Sequence, residues 1–320
     1  MITGIIWSDR YAEEGHMLLK TRLKPTFNYL KTMKIFENPN IKLYEPIPAS
    51  EEIIQKIHTK DMLVKVKATG YYEIAKLTAG GCALAGELIW KGEINNAFAF
   101  TAAAGHHASR DFFWGFCYIN NAAVLVETLR EKYNVKNILI VDTDPHFGDG
   151  TWEIFENDEN TFHLELHGGG PLEPTFGKNS VSIPLPSESR DEHILYALEK
   201  LLKPITEKFS PELIIWEFGH DAHHQDYGAW QLTVPGFTKI AEILVKISKE
   251  TCDGKLIALL SGGSNENVAK LSIYGIISTL AEIPFKVKDT SYLHEQNTDI
   301  KEEIRDIIEK NTEKVLEVIL

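Results

Sequence analysis

Acidic and imidazole side chains are crowded into residues 141–150, which read V-D-T-D-P-H-F-G-D-G. The carboxylates of Asp142, Asp144 and Asp149 lie in this segment together with the imidazole of His146. Carboxylates held so close together repel one another unless a positive charge lies between them. Because carboxylate and imidazole groups are ligands of divalent cations, the segment predicts a metal site.

Three protein ligands predict a metal centre that keeps an open coordination position. Asp144 and His146 supply one oxygen and one nitrogen, and Asp221, within G-H-D-A-H at 219–223, supplies a second oxygen. Residues two apart at an extended strand end share a side, so Asp142, Asp144 and His146 can begin on the same side. Three protein ligands leave room for water, as in catalytic zinc sites, and the metal lowers the pKa of that water.

Two adjacent histidines, His106 and His107, are the second chemical feature of the sequence. Near a metal-bound water they could serve as a general base and its electrostatic partner. Each imidazole would need a carboxylate that fixes its tautomer and orientation. Asp142 and Asp149 are available for this, because neither is needed as a metal ligand.

Short apolar runs alternate with longer amphipathic segments, which is typical of a parallel sheet covered by helices. The predicted central strands are Ala97–Thr101, Ile138–Asp142, Leu213–Phe218 and Leu256–Leu260. The predicted helices are Ala79–Trp90, Ile119–Lys132, Asp191–Lys203, Pro235–Glu250 and Val268–Leu280. Each of these strands is followed by a loop rich in polar residues or glycine. Ligands bind at the carboxyl ends of strands in an open parallel sheet, so we expect the four loops to meet in one crevice.

The tail of the chain, residues 298–320, keeps helical spacing of its isoleucines and predicts a C-terminal helix. We expect this helix to pack on the body of the domain. Docking onto a partner subunit is the alternative, and the sequence does not fix the oligomeric state.

Composition restricts the partners and the location that we expect. The formal net charge of −13 argues against non-specific binding to nucleic acid and would attract a cationic substrate. Three cysteines, odd in number and far apart, argue for a reducing compartment. The N-terminus lacks a signal-peptide pattern, and no apolar run is long enough to cross a membrane. We therefore expect a cytoplasmic protein that acts away from membranes.

The sequence resembles the histone deacetylase superfamily, which includes acetylpolyamine amidohydrolases and acetoin-utilisation proteins. The resemblance extends from about the N-terminus to about residue 282 and rests on the combination of several stretches. They are N-A-F-A-F-T at 96–101, G-H-H-A at 105–108, G-F-C-Y-I-N-N at 115–121, D-T-D-P-H-F-G-D-G at 142–150 and G-H-D-A-H at 219–223. It implies a single α/β domain over residues 1–320, with the three-layer fold of arginases and deacetylases. That fold has a mostly parallel sheet of about eight strands with helices on both faces.

The resemblance also implies a role for each polar residue named above. Asp144, His146 and Asp221 would bind zinc, although the same ligand set accepts iron(II). His107 matches the general acid–base and His106 its electrostatic partner. The remaining carboxylates would orient this pair, Asp149 holding His107 and Asp142 holding His106. Members of the family often carry structural potassium, and the segment around Asp142 matches that site.

The substrate channel is expected beside the histidine pair. Gly115 and Phe116 match residues that line the narrow channel for the aliphatic arm of the substrate. Phe112, Phe113 and Trp114 precede them and form an apolar stretch near the channel mouth. These three rings either pack inward as core or are exposed, and exposure would favour an apolar substrate or a partner surface.

The sequence departs from the family after the last predicted strand. The family usually has Gly-Gly-Tyr there, and the tyrosine donates a hydrogen bond to the substrate carbonyl, whereas this chain reads Gly-Gly-Ser-Asn at 262–265. Ser264 or Asn265 could donate instead, directly or through water, but their shorter side chains reach less far. Loss of one oxyanion donor costs on the order of a hundred- to a thousandfold in rate, so we expect weaker hydrolysis of ordinary acetyl-lysine.

The leading hypothesis is a zinc-dependent amidohydrolase that removes an acetyl or other short acyl group from an amine. Its substrate would be an acylated small molecule or an acylated protein lysine. One alternative is a metal-containing protein that binds an acylated ligand with little hydrolysis. The other is an arginase-type ureohydrolase with two manganese ions, although the adjacent histidines and the single histidine ligand favour one zinc ion.

Overall fold

One sheet organises the chain. The structure, a computed structural model, describes residues 1–169, 173–286 and 298–319. The strands of this part are β1 (Thr3–Ile6), β2 (Ile41–Tyr44), β3 (Asn96–Ala99), β4 (Ile138–Asp142), β5 (Thr161–Gly168), β6 (Thr175–Phe176), β7 (Ser180–Leu185), β8 (Leu213–Phe218) and β9 (Leu256–Leu260). Their order across the nine-stranded sheet is β2-β1-β3-β9-β8-β4-β5-β7-β6. Neighbouring strands are parallel, apart from the antiparallel pair of β6 and β7 at one edge.

Helices fill most of the connections between the strands. They are α1 (Asp9–Glu14), α2 (Leu23–Thr32), α3 (Glu51–Ile57), α4 (Lys60–Ala68), α5 (Tyr72–Trp90), α6 (Asn121–Tyr133), α7 (Asp149–Phe155), α8 (Asp191–Phe209), α9 (Val234–Thr251), α10 (Glu266–Leu280) and α11 (Thr298–Ile319). Side-chain caps begin several of them. The Asn120 side chain accepts from the Ala123 amide at 2.9 Å to start α6, and Asn265 caps α10 in the same way.

Hydrophobic cores lie on both faces of the sheet. In β4, Leu139 and Val141 pack into one core, while Ile138 and Ile140 pack into the other. Successive side chains of a strand point to opposite faces, so a strand buried on both sides reads as a continuous apolar run. The two cores confirm the predicted three-layer α/β architecture, with nine strands instead of about eight.

The four strands predicted from the sequence are neighbours in the middle of the sheet, in the order β3-β9-β8-β4. The bounds of β4, β8 and β9 are as predicted, while β3 ends at Ala99, before the predicted Thr101. Because these strands are parallel, their carboxyl ends lie at one edge, and the loops that follow them meet there.

Helix α5 begins at Tyr72, seven residues before the predicted start at Ala79. Gly80 and Gly81, which are poor helix formers, follow the turns that the prediction missed and lie inside the predicted range. Their small size serves packing. A Cβ on Gly80 would lie 1.9 Å from the carbonyl oxygen of Ile47, and a Cβ on Gly81 would lie 2.5 Å from the Tyr11 hydroxyl oxygen.

The C-terminal helix α11 packs against α8 and β7. Ile304, Ile308 and Val315 are buried apolar residues of this helix, and their spacing places them on one face. The helix predicted over residues 298–320 corresponds to α11, which spans Thr298–Ile319.

All three cysteines, Cys82, Cys117 and Cys252, are buried and unbridged. Within the described ranges, no helix combines the length and the apolar character needed to span a membrane. The cytoplasmic location inferred from the sequence stays a prediction.

Candidate metal and catalytic site

A cavity of about 340 Å³ opens at the carboxyl ends of the central strands. The loops after β3, β4, β8 and β9 all contribute to it. The residues that line the cavity are Leu19, Ala104, His106, His107, Trp114, Gly115, Phe116, Asp144, His146, Asp221, Tyr227 and Gly262. The three predicted metal ligands, both histidines and both predicted channel residues are therefore brought together, whereas Ser264 is outside this lining.

Asp144, His146 and Asp221 converge, with one ligand atom of each within 4.8 Å of the others. The Nδ1 atom of His146 lies 2.9 Å from Oδ1 of Asp144 and 3.2 Å from Oδ2 of Asp221. Both carboxylates are buried, and the imidazole is partly exposed to the cavity. Among the described residues this is the one group of three or more such side chains with metal-binding geometry.

The three residues fit a divalent cation. Both carboxylate oxygens of Asp221 are buried, and Oδ1 accepts no hydrogen bond, which is costly unless a cation neutralises the carboxylate. Burial, together with the neighbouring Asp144 carboxylate, raises the pKa of Asp221 to about 6. Burial alone would lower the pKa of His146, but the two carboxylates raise it to about 10. His146 holds its proton strongly because two carboxylates lie beside it, and the same carboxylates would favour a bound cation.

Two glycines make room for the ligand carboxylates. A Cβ on Gly219 would lie 2.3 Å from Oδ2 of Asp144, and a Cβ on Gly262 would lie 2.2 Å from Oδ2 of Asp221. The Gly262 amide also donates to Oδ2 of Asp144 at 2.8 Å. The loops after β8 and β9 therefore approach the ligands with bare backbone.

Each histidine of the pair has its own carboxylate, as the sequence predicted. The Nδ1 atom of His106 lies 3.0 Å from Oδ2 of Asp142, and Nδ1 of His107 lies 2.7 Å from Oδ1 of Asp149. When Nδ1 donates to the carboxylate, Nε2 keeps the lone pair of the neutral ring. Both rings are buried, and their centroids are 4.1 Å apart.

The environment separates the pKa values of the two histidines. Burial, followed by the charge on His106, lowers the pKa of His107 to about 4 in spite of Asp149. For His106, burial lowers the pKa, but Asp144 and Asp142 outweigh it and raise the pKa well above its usual value. The surroundings therefore favour a neutral His107, as a general base must be, and a protonated His106.

The G-D-G sequence after β4 is more than a turn. A Cβ on Gly148 would lie 2.9 Å from Oδ2 of Asp142 and 3.1 Å from Nδ1 of His106. A Cβ on Gly150 would lie 2.5 Å from the backbone of Ala108. Without side chains at these two positions, the histidine loop can lie directly against the loop after β4.

The predicted channel residues form a wall beside His107. Gly115 and Phe116 both have positive φ, at 57° and 66°. A Cβ on Gly115 would lie 2.4 Å from Cδ2 of His107, so only glycine allows this approach. The ring of Phe116 stacks on His16 with centroids 4.2 Å apart.

Residues 16–280 match the family model described as the histone deacetylase domain. The chain belongs to the histone deacetylase family. A probable deacetylase of Archaeoglobus fulgidus is 32% identical over 88% of this chain and 87% of its own length. The acetoin utilization protein AcuC of Bacillus subtilis is 28% identical over 78% of this chain and 73% of its own. The crystal structure of the HDA15 HD domain has the same fold, with a TM-score of 0.83, 23% identity, and coverage of 99% of this chain and 97% of that chain.

Membership of the histone deacetylase family makes this chain a hydrolase that acts on amide bonds. The family is generally metal-dependent, and the cluster of Asp144, His146 and Asp221 offers a place for the ion. The family, the fold and the enzyme class predicted from the sequence are thus confirmed.

Trp114 has a role in this histone deacetylase site that its apolar character did not predict. Its indole N–H donates to Oδ2 of Asp149 at 2.7 Å, so one carboxylate holds both Trp114 and His107. The Trp114 ring also packs on the His107 ring, with centroids 4.0 Å apart. Trp114, which lines the cavity, and Phe112 are each about half exposed, while Phe113 packs against the core.

The loop after β8 contributes two residues that the sequence analysis missed. Oδ2 of Asp226 accepts from the amides of Ser264 and Asn265 at 2.9 and 2.8 Å, and Oδ1 lies 3.3 Å from the Ser264 hydroxyl. Tyr227 lines the cavity, and burial, followed by the charges of Asp221 and Asp144, raises the pKa of its phenol. Both residues stand in the polar run G-H-D-A-H-H-Q-D-Y-G, which is the signal that could have found them.

Two further buried acids, Glu165 and Glu217, come from the strands on either side of β4. Burial, followed by the charge of Asp142, raises the pKa of Glu217 to about 8, so Glu217 is mostly protonated at neutral pH. Oε2 of Glu165 is buried without a hydrogen-bond partner. Apolar strands conceal such residues from pattern analysis, and the structural potassium expected near Asp142 stays a prediction.

Proposed function

We propose that the protein is a zinc-dependent amidohydrolase that removes an acetyl or other short acyl group from an amine. The observation that carries this proposal is the meeting of His107, hydrogen-bonded to Asp149, with the three metal ligands in one cavity. The family membership supports the same chemistry. Acetyl-lysine, an acetylpolyamine and a small amide all present the bond that such a site would cleave.

Asp144, His146 and Asp221 would hold the zinc ion, and iron(II) suits the same ligands. When bound, the ion would polarise the substrate carbonyl and lower the pKa of a coordinated water. Potassium near Asp142 is the second ion that we propose, since buried carboxylates accumulate there.

His107 would take a proton from the attacking water at Nε2 and return it to the leaving amine. Asp149 holds Nδ1 of this ring and thereby keeps Nε2 directed away from the carboxylate. His106, held by Asp142, would stabilise the negative charge that develops in the cavity. The roles predicted for these four residues are thus consistent with their contacts.

The cavity suits a short acyl group on an aliphatic arm. Its volume of about 340 Å³ lies at the lower end of the range for small-molecule sites. Gly115 and Phe116 supply one wall, and Leu19 adds apolar surface to the cavity lining. The net charge of −13 favours the approach of a cationic amine.

The proposal is tested with purified, zinc-loaded protein on a panel of acetyl-lysine peptides, acetylpolyamines and activated acyl esters. We expect acetate release that falls by about a hundredfold or more in His107→Ala, because general acid–base catalysis contributes about that much. Glu153→Gln, a change on the exposed side of α7, is the control for surface effects. Acetate release that is absent from the whole panel, or equal in wild type and His107→Ala, would contradict the proposal.

Binding of an acylated ligand without hydrolysis is the second candidate function. The placement of Ser264 favours it, because this predicted oxyanion donor is outside the cavity lining and its hydroxyl lies beside Asp226. Calorimetry with an acetylated ligand, followed by analysis of the recovered ligand, separates the candidates. Tight binding with intact ligand would favour the binding protein.

An arginase-type ureohydrolase would need two manganese ions. Within the described residues, one cluster has metal-binding geometry, which supports a single ion. A metal content near two per chain, with manganese preferred, would favour the ureohydrolase.

A further inference from the structure

Amide hydrolysis places negative charge on the carbonyl oxygen in the transition state. Enzymes stabilise this charge with a hydrogen-bond donor that is fixed before the reaction begins. Such a donor must line the cavity and must have a hydrogen that no protein acceptor already takes.

Most donors of the cavity lining are already engaged. The indole N–H of Trp114 donates to Asp149 at 2.7 Å, and the amide of Gly262 donates to Asp144 at 2.8 Å. The Nδ1 atoms of His106 and His107 face their carboxylates, and Nε2 of His106 lies 3.8 Å from Oδ2 of Asp144. Of the residues that line the cavity, Tyr227 alone has a hydroxyl group.

The Tyr227 hydroxyl is held in place by the opposite loop. Its oxygen accepts a hydrogen bond from the Gly263 amide at 2.9 Å, which fixes the oxygen and leaves the phenolic hydrogen available. In the part of the chain that the structure describes, no hydrogen bond from this hydroxyl to a protein acceptor is formed. The Tyr227 ring lies 5.8 Å from the ring of the metal ligand His146, centroid to centroid, at an interplanar angle of 40°.

The residue before Tyr227 strengthens this placement. Asp226 accepts from the amides of Ser264 and Asn265, so consecutive residues of the loop after β8 hold three consecutive amides of the loop after β9. The side chain of Asp226 is almost fully buried. Tyr227 is therefore mounted on a fixed connection between two loops, although 48% of its surface remains exposed.

We propose that Tyr227 is the oxyanion donor of this site and hydrogen-bonds the substrate carbonyl oxygen through its phenolic O–H. The inference rests on the proposed function, because it assigns the donor for that reaction. It replaces Ser264 in this role, since the Ser264 hydroxyl lies 3.3 Å from Oδ1 of Asp226 and is directed to that loop. The chain would then lack a tyrosine after β9 without lacking the hydrogen bond.

The first test is the kinetics of Tyr227→Phe, which removes one oxygen and keeps the ring. We expect kcat to fall on the order of a hundred- to a thousandfold with little change in KM, as for loss of an oxyanion donor. Zinc content and melting temperature should equal those of the wild type. Tyr274→Phe is the matched control, because Tyr274 is buried against Tyr29 and Phe285 and does not line the cavity.

The second test measures binding instead of turnover. A trifluoromethyl ketone analogue of acetyl-lysine hydrates to a tetrahedral form, and titration calorimetry gives its affinity for the zinc-loaded protein. We expect Tyr227→Phe to weaken binding by about tenfold to a hundredfold, in line with one hydrogen bond to a charged group. Tyr274→Phe should bind the analogue as the wild type does.

The outcomes separate this inference from the proposed function. Wild type that releases acetate, with Tyr227→Phe equal to it in rate and in analogue binding, would overturn the inference alone. A loss of rate confined to Ser264→Ala would also overturn it. Wild type without acetate release, whose analogue binding still depends on Tyr227, would overturn the hydrolytic function and support the donor. Wild type that neither releases acetate nor binds the analogue would overturn both.

Discussion

The loop after β4 and the loop after β9 reach the same cavity but contribute in opposite ways. The loop after β4 supplies side chains: Asp144 and His146 as ligands, and Asp149 as the partner of His107. The loop after β9 supplies backbone and empty space through Gly262 and Gly263. The chemistry of side chains is visible in residue types, whereas space and backbone donors become visible only when the neighbouring loops are in place.

The largest expected effect follows from a change in the side-chain loop. Asp144→Ala and, in the partner loop, Asp221→Ala should each lower zinc affinity by more than about a hundredfold, because even indirect partners of ligands are worth about 10- to 100-fold. Metal analysis after dialysis against a weak chelator measures this loss. Asp158→Ala, which breaks an ion pair with Arg130 far from the cavity, should retain the metal.

Normal metal content in both ligand variants would refute the ligand assignment. The loop after β4 would then have no metal to bind, and its difference from the loop after β9 would have no functional meaning.

A second prediction tests the contribution of empty space. Gly262→Ala would place a Cβ 2.2 Å from Oδ2 of Asp221 and 2.6 Å from Oδ2 of Asp144, so the ligands must move. We expect zinc affinity to fall by about 10- to 100-fold, as for other changes that misorient ligands. Competition with a fluorescent chelator gives the affinity.

Gly263→Ala is the matched control in the same loop. Gly263 has φ of 103°, and the atoms nearest to a Cβ there would be those of the His220 ring, the closest at 2.5 Å. This variant should lose stability through strain and keep more of its zinc affinity than Gly262→Ala. Equal zinc affinities in the two variants would show that the space beside Asp144 and Asp221 is not what Gly262 provides.

The sequence predicted the side-chain half of this site and missed the half that depends on contacts. Asp144, His146, Asp221 and the histidine pair were assigned because charge and imidazole in such density have few structural uses. Tyr227 was missed because one tyrosine in a polar loop has many ordinary uses.

The same division holds for the fold. The apolar run of β4 was predicted with its bounds, because burial on both faces dictates residue types directly. The early turns of α5 were not predicted, and neither was the close packing of Gly80 and Gly81 against Ile47 and Tyr11. The local residue pattern indicates whether a segment is buried, but it does not indicate which distant part of the backbone packs against it.

A third region, the loop that carries the channel wall, depends on a distant histidine. Nδ1 of His58 lies 2.7 Å from the carbonyl oxygen of Ser109, and Nε2 accepts from the Asn120 amide at 3.0 Å. These bonds join the two ends of the segment 109–120 and require an unprotonated Nε2. Burial lowers the pKa of His58 to about 4, against an ordinary value of 6.5.

The sign of the pH effect follows from these values. Below pH 6.5 His58 is protonated in the unfolded chain, whereas in the folded chain it stays neutral down to about pH 4. The unfolded state therefore binds more protons in this range, and the free energy of unfolding falls as the pH decreases. Between pH 7 and pH 5 this linkage is worth about 2 kcal/mol. Urea unfolding of wild type and His58→Gln at both pH values isolates it, since the variant should lose that much less on acidification. An equal loss in both proteins would exclude His58 as the group responsible.

The smallest expected effect concerns Trp114, which lies at the rim of the cavity. Trp114→Phe keeps an aromatic ring against His107 but removes the N–H that donates to Asp149, so His107 keeps its partner and loses one fixed neighbour. We expect kcat/KM to fall by about threefold to tenfold, the worth of one partly exposed hydrogen bond. Trp90→Phe, at the end of α5, is the control. A larger loss in Trp114→Ala than in Trp114→Phe would assign the remainder to ring packing on His107, whereas equal activity in wild type and both Trp114 variants would show that Asp149 alone positions His107.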